Sequence, residues 1–168
     1  PPSLQEDYDN AGLITGMPGW EWNGAMISLD ITDEVINEAI KNNCNLLIAH
    51  HPIIFKGLKR ITGNEYVGRN IIRAIKNDLA IYAIHTNLDN VLEGVNGKIA
   101  KMIGLTDCQV LVPLDNAHPG YGSGLTGHLA DPMDEKAFLG LIRDIFKIPV
   151  IRHSCFRDKS IQRVSLCG

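Results

Sequence analysis

Residues 46–56 read LLIAHHPIIFK and residues 85–89 read HTNLD. Together they place His50, His51, His85 and Asp89 at the ends of two apolar runs. Neutral imidazole nitrogens and a carboxylate oxygen are suitable donors for zinc, iron or manganese. Neighbouring residues in extended backbone point to opposite sides, so His50 and His51 can each face a different ion. Asp89 has two oxygens and is the kind of ligand that can bridge a pair. Two divalent ions roughly 3.5–4 Å apart activate water for attack on a carbonyl, imine or phosphoryl group. Pro52 disfavours helical backbone at His51 and keeps the pair extended.

A single histidine at a strand end is usually a satisfied polar residue. An adjacent pair opposite a His-x-x-x-Asp shifts the reading to a metal centre of two divalent ions. His85 and Lys56 are candidates for orienting the site or touching a substrate, and the residues identify no catalytic group beyond them.

The flanking elements must deliver these groups to one place. Residues 24–31, GAMISLDI, read as a strand. Thr32 then caps a helix with Asp33 and Glu34 in its first turn and Val35, Ile36, Ala39 and Ile40 on its apolar face, ending near Asn43. Residues 44–50 form a strand apolar nearly throughout, as in a parallel sheet covered on both faces. A helix follows at 64–77 with Val67, Ile71, Ile72 and Ile75 inward, then a strand at 79–86 and a helix stopped by Gly104. This rhythm predicts an α/β fold with a largely parallel or mixed sheet and helices on both faces. In such folds ligands bind at the carboxyl ends of the strands. If the two histidine-bearing strands are neighbours, the four residues share a pocket.

Past Val110 the chain is rich in Gly, Pro and Asp, with room only for short strands, then a helix at 133–147 and strands at 148–152 and 161–167. His118, His128 and His153 have no partner at a ligand spacing and read as surface or structural residues. Trp20 and Trp22 read as loop packing. YGSGLTG lacks the Lys-Ser/Thr of a phosphate loop, and no Ser-His-Asp or Cys-His arrangement is legible.

The chain has 168 residues, 45% hydrophobic and 21% charged, with a formal net charge of -3, so a single α/β domain spanning 1–168 is expected. The dispersed basic residues give no footprint for nucleic acid, and no apolar run is long enough for a membrane helix. Cys44, Cys108, Cys155 and Cys167 lie far apart, as reduced thiols of a soluble cytoplasmic protein. Pro1 at the start and a strand pattern running into Gly168 predict that the chain is part of a longer polypeptide.

YDNAGLITG at 8–16, LDIT at 29–32, AHHPIIFKGLK at 49–59 and HTNLDNVLEGVN at 85–96 resemble the signature blocks of the dinuclear-metal-centre family related to the yeast NGG-interacting factor. Its members are commonly called GTP cyclohydrolase I type 2 homologues. The resemblance implies that His50, His51 and Asp89 are metal ligands, with Asp89 bridging, and that the protein forms a homohexamer built as a trimer of dimers. It implies that a further histidine and glutamate follow in a segment after residue 168. It also raises an inserted domain near 114–120, where two blocks that flank such an insert in longer members nearly abut. The implied activity is that of a metal-dependent hydrolase acting on a small molecule, with GTP suggested by the family label alone. The alternative is a non-catalytic metal-binding protein serving regulation or assembly.

Overall fold

A computed structural model describes residues 1–115 and 120–168. It divides into two compact units, Pro1–Leu88 and Asp89–Gly168. His118 and part of the 114–120 junction lie outside the described residues.

The first unit is built on a four-stranded mixed sheet in the order β1-β4-β3-β2, formed by β1 (Gly12–Thr15), β2 (Ala25–Ser28), β3 (Leu46–Ala49) and β4 (Ala80–Ala83). Strands β2, β3 and β4 are parallel, and β1 runs antiparallel on the edge beside β4. Between β2 and β3 lies α1 (Asp33–Lys41), and between β3 and β4 lies α2 (Tyr66–Lys76). Thr32 caps α1 as its sequence predicts, with Oγ1 accepting from the Val35 amide at 3.2 Å.

Ile36 and Ala39 of α1, Leu47 and Ala49 of β3, Ile71 and Ala74 of α2, and Ile81 of β4 form one buried core. Each fully buried large aliphatic side chain in it contributes about 1.5–3 kcal/mol. The α2 face is rotated from expectation: Ala74 is buried, whereas Ile75 is 56% exposed. Asn70 takes a core position beside Ile71, its Nδ2 donating to the Tyr66 carbonyl. The polar residue hid the true inward stripe.

The expected third helix is two pieces, α3 (Thr86–Asp89) and α4 (Val95–Ile103), the second ending at Gly104 with φ 82. Gly97 lies within α4 because a Cβ there would come 2.1 Å from the Leu92 carbonyl oxygen.

The second unit also differs from expectation. Its Gly/Pro-rich stretch contains the longest strands, β5 (Thr106–Pro113) and β6 (Gly122–Asp134), which join β7 (Ser160–Leu166) in an antiparallel sheet. The register between β6 and β7 shifts between His128 and Met133, and Pro132, which has no amide hydrogen for a ladder, falls in that interval. Helix α5 (Glu135–Phe146) is capped by Asp134, whose Oδ1 accepts from the Lys136 and Ala137 amides. Residues 148–152 form no strand, and Val150 there is 75% exposed. Ala100, Ile103, Leu105, Leu125 and Leu129 form this unit's own core.

Candidate metal centre

The register of the parallel strands brings the histidines together. Leu46 lies opposite Ala80 and Ala49 opposite Ala83, so β3 and β4 end level with one another. The ladder continues one step beyond, as the Ile84 amide donates to the Ala49 carbonyl at 2.8 Å. On the other side, the His50 and His51 amides donate to the Ser28 and Leu29 carbonyls at 3.2 and 3.0 Å. The pair thus follows β3 at a bend, where extended backbone was expected, braced from β2, and His85 emerges beside it.

The ring centroids are 5.0 Å apart for His50 and His51, 5.2 Å for His50 and His85, and 5.7 Å for His51 and His85. One ring nitrogen from each lies within 4.8 Å of the other two.

Each Nδ1 has an oxygen partner: the Ile84 carbonyl for His50 at 2.9 Å, Asp30 Oδ1 for His51 at 2.7 Å, and Asp9 Oδ1 for His85 at 2.7 Å. A carbonyl or an ionised carboxylate can only accept, so Nδ1 carries a hydrogen, and in the neutral ring Nε2 is the nitrogen that offers a lone pair. Three lone-pair nitrogens held this way fit a divalent cation of the zinc, iron or manganese kind. The donor set therefore passes the chemical test for a metal.

The carboxylates behind the rings differ. Asp30 and its partner His51 are both substantially exposed, whereas the Asp9 side chain has no solvent exposure. Burial alone would push the Asp9 carboxyl up. Hydrogen bonds from Thr86, His85 and the Asn10 amide outweigh it and hold the group below the ordinary carboxylate value.

Asp89 ends α3, the single helical turn that begins directly after His85, and its carbonyl accepts from Asn96 Nδ2 at 2.9 Å. Lys56 lies exposed on the segment that follows the histidine pair. Phe55, beside it in sequence, has its ring 6.2 Å from that of His85. His128 and His153 are exposed, and His153 stacks on Phe156. YGSGLTG runs into β6 and is no phosphate loop.

The family model described as Duf34/NIF3 (NGG1p interacting factor 3) matches residues 1–168. The chain belongs to the DUF34/NIF3 family. A relative from Clostridium acetobutylicum named GTP cyclohydrolase 1 type 2 homolog is 37% identical over 161 residues, covering 96% of this chain and 60% of its own length. The chain thus spans well under two thirds of that relative. Among solved structures, a Staphylococcus aureus hypothetical protein superposes with a TM-score of 0.88 at 29% identity, over 99% of this chain and 66% of that one. A Bacillus cereus protein related to NIF3 has the same fold, with a TM-score of 0.89 at 24% identity over 100% of this chain and 72% of that one.

The sequence reading missed the groups behind the histidines. Asp9 and Asp30 stand in blocks used only for the family resemblance, YDNAGLITG and LDIT. An acidic residue close to a strand end was the available signal, and nothing local said which histidine it would meet.

Proposed function

We propose that this protein is a metal-dependent hydrolase with a dinuclear centre held by His50, His51 and Asp89, in which Asp89 bridges the two ions and His85 and Lys56 contact or orient the substrate. The observation that carries the reading is the convergence of three imidazoles whose Nδ1 atoms are all engaged by acceptors. Bound divalent ions would supply Lewis acidity and lower the pKa of a coordinated water. The protein's own contribution is to fix each imidazole in the tautomer that offers Nε2, and to hold two of the rings at the bend that follows β3. Lys56, exposed on the adjoining loop, is a cation available to an anionic substrate group.

The name shared by the relatives makes GTP the first compound to test, and a homohexamer is the assembly to expect. Metal analysis and anomalous scattering on the full-length protein test the centre. Two anomalous peaks beside His50, His51 and Asp89 support it, one peak reduces it to a mononuclear site, and none removes it. Turnover of GTP by metal-loaded protein, lost in His50→Ala, supports the hydrolase reading. A metal-loaded protein inert towards nucleotides and simple esters would favour a regulatory or assembly role. Sedimentation at several concentrations tests the hexamer.

A further inference from the structure

The connection from β2 to α1 carries a carboxylate to the histidine pair, and its backbone is tied down along its length. The Ser28 carbonyl accepts from the His50 amide at 3.2 Å and the Leu29 carbonyl from the His51 amide at 3.0 Å. Ser28 Oγ donates to the Asp30 carbonyl at 2.8 Å, and the Tyr66 hydroxyl donates to the Ile31 carbonyl. Thr32 ends the segment as the cap of α1, its carbonyl accepting from the Ile36 amide at 3.0 Å. Asp30 therefore stands on backbone held from both sides, by the strands behind it and the helices ahead.

Its side chain meets the second of the two histidines. Asp30 Oδ1 lies 2.7 Å from His51 Nδ1 and accepts its hydrogen. One segment thus grips His51 at two points, through its amide and through its ring. His50 is held differently, because its Nδ1 donates to the Ile84 carbonyl at 2.9 Å, a backbone group that no side-chain change removes. Packing covers only about half of the His51 side chain, so the orientation of that ring depends on its hydrogen bond.

The geometry points to Asp30 as the positioning residue of His51: a carboxylate on an anchored connection that keeps the hydrogen on Nδ1 and leaves Nε2 for the ion. This rests on the metal reading above, in which His51 is a ligand. A carboxylate behind a ligating imidazole also raises the basicity of the ring and strengthens it as a donor. The Asp30 side chain is 57% exposed, so water takes over part of its role when it is removed. That places the loss at the lower end of the range found for such partners.

The test uses the full-length protein as wild type, Asp30→Ala, His51→Ala and the double variant Asp30→Ala/His51→Ala. Ile71→Val serves as a core variant that loses stability away from the site. Zn²⁺ affinity is read by equilibrium dialysis. The His51 tautomer is read from ¹⁵N spectra of metal-free protein above about pH 8, where an ordinary imidazole is neutral. The expected result is that affinity falls about 10-fold in Asp30→Ala. It stays unchanged in Ile71→Val and falls no further when Asp30→Ala is added to His51→Ala. The spectra should show His51 as the Nδ1-H tautomer in wild type and shifted towards Nε2-H in Asp30→Ala, with the His50 tautomer unchanged.

Wild-type affinity in Asp30→Ala overturns the inference. So does an equal further loss in the His51→Ala background, which would make Asp30 a ligand itself or a charge acting at a distance, and so does a matching loss in Ile71→Val. Where His51→Ala binds too little zinc to compare, the spectra decide, and a His51 tautomer unchanged by Asp30→Ala refutes the assignment. If Asp30→Ala does not fold, Asp30→Asn, whose amide can pair with either tautomer, takes its place under the same criteria. If wild type binds no Zn²⁺, the metal reading falls, and the spectra still decide whether Asp30 sets the His51 tautomer.

Discussion

Replacing His50 with alanine removes one of three converging nitrogens, and its effect can be worked through metal-linked stability. Loss of a group behind a ligand costs about 10- to 100-fold in metal affinity, so loss of a ligand itself should cost roughly 100-fold or more. A ligand that binds only the native state stabilises it by about 2.7 kcal/mol at a free concentration of roughly 100 times Kd. At that concentration a site weakened about 100-fold gains only ~0.4 kcal/mol. In a chain of this length each kcal/mol moves Tm by about 2–4 °C. Zinc should therefore raise the wild-type Tm by ~5–11 °C and that of His50→Ala by ~1–2 °C. The variant starts lower even without metal, because the Ile84 carbonyl loses the Nδ1 donor at 2.9 Å, worth about 0.5–1.5 kcal/mol. Differential scanning calorimetry with and without zinc, at matched protein concentration, separates the two effects. Equal zinc-induced shifts in both proteins, or none in wild type, would refute the reasoning.

Other consequences can be checked directly. Gly97→Ala should destabilise the protein by about 1–3 kcal/mol in urea melts, opposite in sign to the gain that helix propensity alone predicts, because its Cβ meets the Leu92 carbonyl at 2.1 Å. The Asp33 carboxyl is held below its ordinary value of 3.8, chiefly by the hydrogen bond from Arg69. Its small stabilisation is present above the unfolded value and lost as pH falls through the folded one. An NMR titration should find the Asp33 pKa raised in Arg69→Met. Burial, then the neighbouring Asp107, pushes the Cys108 thiol up from its ordinary value of 9.0, so at neutral pH Cys108 should react with a disulfide reagent more slowly than exposed Cys155 and Cys167.

The parts of the fold that follow a single local signal were legible in the sequence. Thr32 as a cap, the Val35/Ile36/Ala39/Ile40 stripe and the αL stop at Gly104 each depend on residues within one or two turns. So does the apolar β3 that delivers His50 and His51. The β5–β6 pair was not, because its glycines look like loop punctuation when read alone. Gly127 makes room for Cys108 Sγ and the Thr106 carbonyl, each 3.0 Å from where its Cβ would lie, and that need exists only once β5 and β6 are paired. The same distinction divides the site. Three histidines at apolar strand ends announce themselves, whereas Asp9 meets His85 across 76 positions of chain. Only the closed fold makes that contact visible.

His50 and His51 share a peptide unit, which fixes their Cα atoms about 3.8 Å apart whether or not the chain is folded. The pair is therefore a histidine dipeptide written into the covalent structure, and His85 comes beside it only when β4 docks. Any hold that the unfolded protein keeps on an ion subtracts from the thermal stabilisation a metal can confer. The Tm shift calculated for wild type is an upper value, and the shortfall against directly measured affinity reports how tightly the unfolded chain, this dipeptide included, binds the ion. A chain synthesised from its N-terminus exposes this dipeptide before β4 exists. It can take up an ion early and close on it as the sheet completes.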